Sequence, residues 1–168
     1  MILAVIAAGA IFQVLFGDET VTGTVRVPTP VATIGSGEEA IAVAANGALV
    51  PWWPLPEEPE LPQLPLAEPP ESGRLAGPMR DQARVLGAAP AALRPYLAGS
   101  YYGESGVDVE LTTGIELRFG EASQLAAKWK AAATVLADPE VTTLDYVDLH
   151  APRRPAIGGS GHTLPAIP

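Results

Sequence analysis

The distribution of proline limits this chain more than any other feature of its sequence. The chain holds 18 prolines, and they concentrate in residues 51–78, where neither a helical nor a strand period can be followed. Proline lacks the backbone N–H that helices and sheets need, so prolines at this density exclude a regular element. Because 48% of all residues are hydrophobic, too many for a disordered chain, we predict an extended surface loop with polyproline character inside a folded domain.

The proline-rich loop allows two functional interpretations. It could present a PxxP ligand to a partner of the SH3 type, because polyproline segments dock into such grooves. It could instead be a spacer that Trp52, Trp53 and Leu55 pin to the domain by burying apolar surface. We favour the spacer.

Composition excludes several classes of site and partner. The chain has 168 residues, enough for one hydrophobic core, and no cysteine, so disulfides and thiolate sites are impossible. His150 and His162 are too few and too far apart for a histidine metal cluster. The net charge of −9 comes without any block of lysine or arginine, which argues against nucleic acid as a partner. We predict no cofactor.

The N-terminal residues resemble a membrane segment in composition. Residues 1–16 are apolar on every face and interrupted only by Gln13. At about 1.5 Å per residue, they fall short of the roughly 20 residues that span a bilayer core. We expect a partial or short transmembrane signal anchor; the alternative is a buried N-terminal helix or strand of a soluble protein.

Alternating apolar residues predict two groups of strands. Residues 20–34 and 38–50 alternate, and the second range contains Asn-Gly at 46–47, a hairpin signal because both central residues of a type I′ turn need positive φ. They predict a three-stranded meander. Residues 107–111 and 115–119 flank a Thr-Thr-Gly turn and predict a second hairpin. Its inward side chains are expected to be Val107, Val109, Leu111, Ile115, Leu117 and Phe119.

Two segments have a helical pattern. Residues 79–97 predict a helix that Pro90 divides, and residues 121–137 predict a second helix with Glu121 in its first turn. The apolar positions are Val85, Leu86 and Leu93 in the first helix, and Leu125, Trp129, Ala132 and Leu136 in the second. We therefore predict an α+β domain over residues 17–157, in which an antiparallel sheet of hairpins packs against two helical segments.

The last predicted strand lies within residues 141–157. Its apolar residues alternate until two prolines and two arginines, at 152–155, break the pattern. It is therefore predicted to be an edge strand, whose unpaired N–H and C=O groups must be covered, blunted or used to recruit another chain. Residues 158–168 are rich in glycine and are predicted to form a flexible tail.

No active site is predicted. Asp145 and Asp148 are three apart on a strand and point to opposite faces, which excludes a simple carboxylate pair. The glycines at 158–161 lack the strand-to-helix turn and the lysine of a phosphate loop, and no serine has a G-x-S-x-G setting. Glutamates in the proline-rich loop have no apolar surroundings to raise a pKa. They are Glu57, Glu58, Glu60, Glu68 and Glu71. We predict a non-enzymatic protein, with a hydrolase as a minor alternative.

Several segments together resemble one protein family. Residues 113–120 (TGIELRFG), a helix that carries Lys128 (LAAKWKAAATVLADP) and a terminal strand (DYVDLHAPRRPAI) follow in the order found in the bacterial cell-division proteins FtsQ and DivIB. Residues 25–34 (VRVPTPVATI) and 40–50 (AIAVAANGALV) are similar to the earlier strands of that family. The resemblance covers roughly residues 25–157.

The resemblance implies a scaffold for cell division. Family members have a short cytoplasmic tail, one membrane helix, a POTRA domain and an extracytoplasmic β domain, and they act without catalysis in the septum-forming complex. It implies a single-pass cell-membrane protein with FtsB/DivIC-like and FtsL-like partners. A POTRA domain is expected to be absent, because no room for one exists between Phe16 and Thr24. The partner-binding residues predicted on the edge strand are Leu144, Tyr146, Asp148, His150, Ala151, Arg153, Arg154, Ala156 and Ile157.

An alternative function belongs to another class. Trp52, Trp53, Tyr101 and Tyr102 could stack on sugar rings, as amphipathic aromatic side chains do in carbohydrate sites. The chain would then be an exported cell-wall or carbohydrate-binding domain.

Overall fold

The computed structural model describes residues 10–16, 19–25, 28–56 and 60–166, and within these ranges it contains two helices and ten strands. The helices are α1 (Gly77–Gly87) and α2 (Leu125–Leu136). The strands are β1 (Ala10–Phe16), β2 (Glu19–Val25), β3 (Pro30–Ile34), β4 (Ile41–Ala44), β5 (Leu49–Val50), β6 (Leu97–Gly103), β7 (Gly106–Leu111), β8 (Glu116–Gly120), β9 (Thr143–Asp148) and β10 (Ala156–Thr163). Short 3₁₀ turns cover Gly37–Glu39 and Arg94–Tyr96.

The strands are arranged in three sheets. One sheet has five strands in the order β10-β9-β8-β7-β6, another has three in the order β3-β4-β5, and β1 pairs with β2. Neighbouring strands are antiparallel except β8 and β9, which are parallel because the connection through α2 returns the chain to the same end of the sheet. The predicted α+β class is confirmed. The predicted sheet of antiparallel hairpins is not complete, because β8 and β9 form a parallel pair.

The first predicted meander is confirmed for three short strands. β3, β4 and β5 are neighbours, and the Asn-Gly turn at 46–47 joins the last two. Gly47 has a φ of +80°, and its N–H donates to the Ala44 carbonyl at 2.8 Å. The early part of residues 20–34 belongs to β2, which pairs with β1 instead.

The proline-rich loop joins the two larger sheets. Gln63 lies between β3 and β6 and bridges Thr33 on one side and Gly99 on the other, both in parallel orientation. Its N–H donates to the Ala98 carbonyl at 3.2 Å, and its carbonyl accepts the Ser100 N–H at 3.3 Å. The prediction of a surface loop without sheet hydrogen bonds is therefore wrong at this position, because a residue other than proline supplies the bonds.

Apolar side chains of the same loop reach the interior. Leu64 and Leu75 are 1% and 2% exposed. Trp53 and Leu55 pack against a small buried cluster on β4 and β5, whereas Trp52 is 62% exposed. Two of the three side chains expected to pin the loop therefore contact the domain.

The two helices meet in the core. The indole Nε1–H of Trp129 in α2 donates to the Val85 carbonyl in α1 at 2.9 Å, and the centroid of the Trp129 ring lies 4.7 Å from that of Phe119 in β8. The predicted inward residues of the second hairpin are confirmed, since all of them are buried. They are Val107, Val109, Leu111, Ile115, Leu117 and Phe119.

A buried lysine fixes the entry to α2. The helix begins at Leu125, so Glu121 precedes it. The prediction that Glu121 lies in the first turn of this helix is therefore wrong. The Lys128 Nζ donates to the carbonyls of Phe119 at 2.7 Å and Glu121 at 2.8 Å. Burial lowers the pKa of Lys128, and these carbonyls replace the water that its ammonium group would otherwise bind.

β6 is a strand that the sequence reasoning missed. α1 ends at Gly87, and the predicted helical continuation as far as residue 97 is replaced by turns, of which Arg94–Tyr96 is 3₁₀, and by β6. Two adjacent tyrosines at 101–102 were the available strand signal. The Ser100 hydroxyl donates to the Gln82 side-chain oxygen at 3.2 Å, which ties β6 to α1 in the interior.

The predicted membrane segment falls only partly within the described residues. Residues 1–9 lie outside them, and Ala10–Phe16 forms β1, paired with β2. Neither helix of the described ranges has the length and apolar character needed to cross a membrane.

Replacing Leu64 with alanine should lower the free energy of unfolding by about 2–5 kcal/mol, because its side chain is fully buried where the two sheets meet. Urea denaturation followed by tryptophan fluorescence measures the change. Leu61→Ala is the matched control, since Leu61 belongs to the same segment but is only partly buried. A loss no larger than that of the control would contradict the structural role of this segment.

Candidate protein-binding site

One free edge of the five-stranded sheet is β10, and the predicted edge strand lies inside the sheet. β9 is flanked by β8 and β10, with Ala156 of β10 opposite Asp148 of β9. The prediction that residues 141–157 end the sheet is therefore wrong. The prediction of a flexible tail over residues 158–168 is also wrong for residues 158–163, because β10 continues to Thr163.

Glycines allow β10 to close over β9. The pairing register shifts within β10, so that the residues from Gly159 to Gly161 form a bulge opposite Asp145. The Gly161 N–H donates to Asp145 Oδ1 at 2.6 Å, while Gly159 has a φ of +79° and a Cβ there would lie 2.0 Å from Asp145 Oδ2. A Cβ at Gly158 would lie 2.6 Å from the Tyr146 hydroxyl oxygen. The glycine-rich sequence that predicted a tail is what this strand requires.

The outer edge of β10 is not paired by any strand of the described residues, and the bulge interrupts it near its middle. Its eight residues include no charged residue and no proline, the means by which proteins commonly block an exposed edge. Ile157 is 45% exposed. The turn before the strand presents Arg153 and Arg154, both exposed, and a 2.8 Å hydrogen bond from the Arg154 N–H to the Ala151 carbonyl holds it. An open edge beside positive charge can pair with a strand of another chain.

The predicted partner-binding residues divide into three groups. Leu144 is 2% exposed and belongs to the core, so its side chain is not available to a partner. Tyr146, Asp148 and His150 lie on or beside the sheet face opposite the core. The remaining residues lie on the turn or on β10 itself. They are Ala151, Arg153, Arg154, Ala156 and Ile157.

The sheet face opposite the core carries a connected group of side chains, which we call the polar face. It comprises Tyr101, Asp108, Glu116, Arg118, Tyr146 and Asp148. The Tyr101 hydroxyl donates to a Glu116 carboxylate oxygen at 2.5 Å, and the Arg118 Nε donates to the other. The Arg118 guanidinium lies 4.0 Å from the centroid of the Tyr146 ring, a cation–π contact. The sequence signal for this group was the set of polar residues between the inward positions of each strand.

Burial and hydrogen bonding set the ionisation of the polar face. Burial, with repulsion from Glu116, raises the pKa of Asp108 to about 6. Burial also acts to raise the pKa of Asp148, but hydrogen bonds from the His150 N–H at 2.9 Å and its ring Nδ1 at 2.7 Å outweigh it and lower that pKa. The same balance of burial against two hydrogen bonds lowers the pKa of Glu116.

The aromatic residues considered for sugar binding do not form one platform. Tyr101 and Tyr102 are consecutive on β6 and therefore point to opposite faces of the sheet. The Trp52 and Trp53 rings are tilted by 52° with centroids 6.2 Å apart, and Trp53 packs against the domain. Within the described ranges, no group of three or more His, Asp or Glu side chains could hold a metal ion.

The contribution of Asp108 to the free energy of unfolding should fall as the pH rises from 3.8 to about 6. Between these values folded Asp108 keeps a proton that the unfolded chain has released, so the stabilising contribution is complete at the lower pH and lost at the higher one. Asp108→Asn cannot ionise, so its stability relative to wild type should rise over this interval in urea denaturation. Glu110→Gln, an exposed position on the same strand, is the control. A relative stability of Asp108→Asn that does not change with pH would contradict the raised pKa.

Comparison with known proteins identifies the family. Residues 32–150 match the C-terminal domain of the cell-division proteins FtsQ and DivIB, as the resemblance had predicted. The matched residues cover most of the chain, and β10 lies just beyond them. A search of curated proteins gave no match. The chain therefore belongs to the FtsQ/DivIB C-terminal family and is a cell-division protein.

Proposed function

We propose that this chain is a non-enzymatic scaffold of the septum-forming complex, and that β10 pairs with a strand of a partner resembling FtsB or DivIC. That partner is itself paired with an FtsL-like protein. The observation that carries the proposal is that, in a chain of this family, no described strand pairs with the outer edge of β10 and neither charge nor proline blocks it.

Backbone pairing supplies the affinity of such an edge, and side chains supply its selectivity. The incoming strand meets N–H and C=O groups along β10 that no described strand pairs, together with the exposed side chain of Ile157. Ala156 is exposed beside it. Because small residues dominate the rest of β10, a partner backbone can approach closely along the stretch before the bulge, from Ala156 to Gly158.

Charge near the edge favours an acidic partner segment. Arg153 and Arg154 are adjacent and exposed in a chain whose net charge is −9. Opposite charges accelerate association and suppress wrong partners more than they add affinity. Carboxylates next to the pairing strand of the partner fit this turn.

The edge is held ready for pairing by side chains of β9. Asp145 accepts the Gly161 N–H within the bulge, and Tyr146 packs across Gly158. Arg118 in turn lies against the Tyr146 ring. Contacts that fix the strand before binding reduce the entropy lost when a partner arrives. Tyr146 and Asp145 therefore act as positioning residues.

We also propose that the domain works on the extracytoplasmic side of the cell membrane and that residues 1–16 contribute to its attachment. The apolar composition of these residues and the typical membrane anchoring of the family support this location.

Ile157→Glu should weaken binding of the FtsB-like partner by about tenfold or more, because it places an unpaired charge where the partner strand removes water. Biolayer interferometry with the purified partner, alone and paired with its FtsL-like protein, measures the change. Ala126→Glu introduces the same charge at an exposed position of α2 and should bind like wild type.

Deletion from residue 156 onward is the second variant, since it removes β10 entirely. Unchanged binding by both Ile157→Glu and this deletion would exclude pairing at β10.

Removal of residues 1–16 should release the chain from membranes. The full chain, expressed in a bacterial host, is expected in the carbonate-resistant membrane pellet, and the shortened chain in the supernatant. Equal membrane association of the two forms would contradict attachment through these residues and would leave pairing at β10 unaffected.

A further inference from the structure

The other side edge of the five-stranded sheet is only half paired. β6 ends the sheet opposite β10, and Gln63 of the proline-rich loop pairs with its first half. The bonds are those from the Gln63 N–H to the Ala98 carbonyl and from the Ser100 N–H to the Gln63 carbonyl.

Proline stops this pairing after one residue. Continuation of a parallel ladder would require the N–H of residue 65 to donate to the Ser100 carbonyl, and Pro65 has no N–H. The loop continues along β3 instead, where the Gly35 N–H donates to the Leu66 carbonyl at 2.9 Å. β6 and the loop therefore separate beyond Gln63.

Backbone groups of β6 face the resulting gap. The Ser100 N–H points toward Gln63, so the Tyr102 N–H, two residues further along the strand, points the same way. Across the described part of the chain, no backbone carbonyl accepts the Tyr102 N–H on that side. A donor and the neighbouring acceptors on this edge are thus open to an added strand.

Next to the gap is a groove with acidic walls, to which β6 contributes the residues from Ala98 to Tyr101. It has a volume of about 680 Å³ and lies between the β6 edge, the 3₁₀ turn after β3 and the loop from Gln63 to Ala67. Its charged lining side chains are Glu39 and Glu110, and among the described residues no lysine, arginine or histidine lines it.

We infer that this groove binds an extended basic segment of a partner protein, which adds to β6 between Ser100 and Gly103. Its backbone pairs with the free groups of β6, while lysine or arginine side chains reach Glu39 and Glu110. A second copy of this chain fits less well, because each copy has a net charge of −9 and would bring the same acidic edge. The inference concerns the edge opposite β10 and does not rest on the function proposed above.

The probe for this site is a synthetic peptide of about six residues that alternates valine and lysine, with a valine–glutamate peptide of equal length for comparison. Each peptide is titrated into the full chain, and binding is followed by NMR and amide hydrogen exchange. We expect the lysine peptide to bind and the glutamate peptide not to bind. Exchange at the Tyr102 amide should slow when that peptide is bound. Equal binding of both peptides, or unchanged exchange at Tyr102, would overturn the proposal.

Two variants at one position separate backbone pairing from side-chain contact. Tyr102→Pro removes the N–H that faces the gap beside the groove and, because that N–H does not pair with β7, spares the ladder on the other side. This variant should lower the affinity for the lysine peptide by about fivefold to tenfold, which is the effect of one lost hydrogen bond. Tyr102→Ala keeps the N–H and should bind like wild type. Equal affinities of the two variants would overturn the proposal.

Charge reversal provides a test that leaves the backbone intact. Glu39→Lys combined with Glu110→Lys should abolish binding of the lysine peptide and favour the glutamate peptide, since both positions line the groove. Ile157→Glu on the opposite edge should leave peptide binding unchanged. A changed affinity of Ile157→Glu for the lysine peptide, whether higher or lower, would place that peptide on β10 and overturn the assignment to β6.

Discussion

Backbone pairing at Gln63 is the interaction on which the rest of the structure depends. This one residue bonds to β6 and bridges β3, so it joins the three-stranded sheet to the five-stranded sheet. Leu64 then enters a core shared by both sheets and both helices. Pro62 and Pro65 flank this short segment and limit how far it can pair. The same prolines that make the loop irregular therefore close the sheets at one point and leave the β6 edge open beyond it.

Local sequence patterns were sufficient to predict those elements whose buried side chains repeat at regular spacing within a short stretch of sequence. The inward residues of the β7–β8 hairpin alternate strictly, and the apolar face of α2 repeats at helical spacing, so both could be predicted. β6 and β10 have no such pattern. β6 contains two glycines and β10 contains three, and their weak strand preference is offset only by partners elsewhere in the chain, such as Asp145 for β10. Strand order, and hence the identity of each edge, depends on these distant contacts.

The sequence reasoning assigned the free edge to the wrong strand. Residues 151–157 lie at the edge because they lead into β10, whereas the sequence reasoning placed them there as the end of β9. Leu144 was assigned to the partner although it is buried, because one strand pattern cannot tell an inward face from a free edge. The polar face was missed since Glu116 and Arg118 belong to a strand selected for its apolar residues.

The two edges of the sheet differ in charge, and this difference bears on how each would select a partner. Arg153 and Arg154 lie beside β10, whereas Glu39 and Glu110 line the groove beside β6. Backbone pairing alone discriminates poorly between strands, because every strand offers the same N–H and C=O groups. A segment that carries carboxylates is attracted to the first edge and repelled from the second, and a basic segment behaves in the opposite way. Charge placed next to the two edges would thus allow one sheet to take up two different strands without exchanging them.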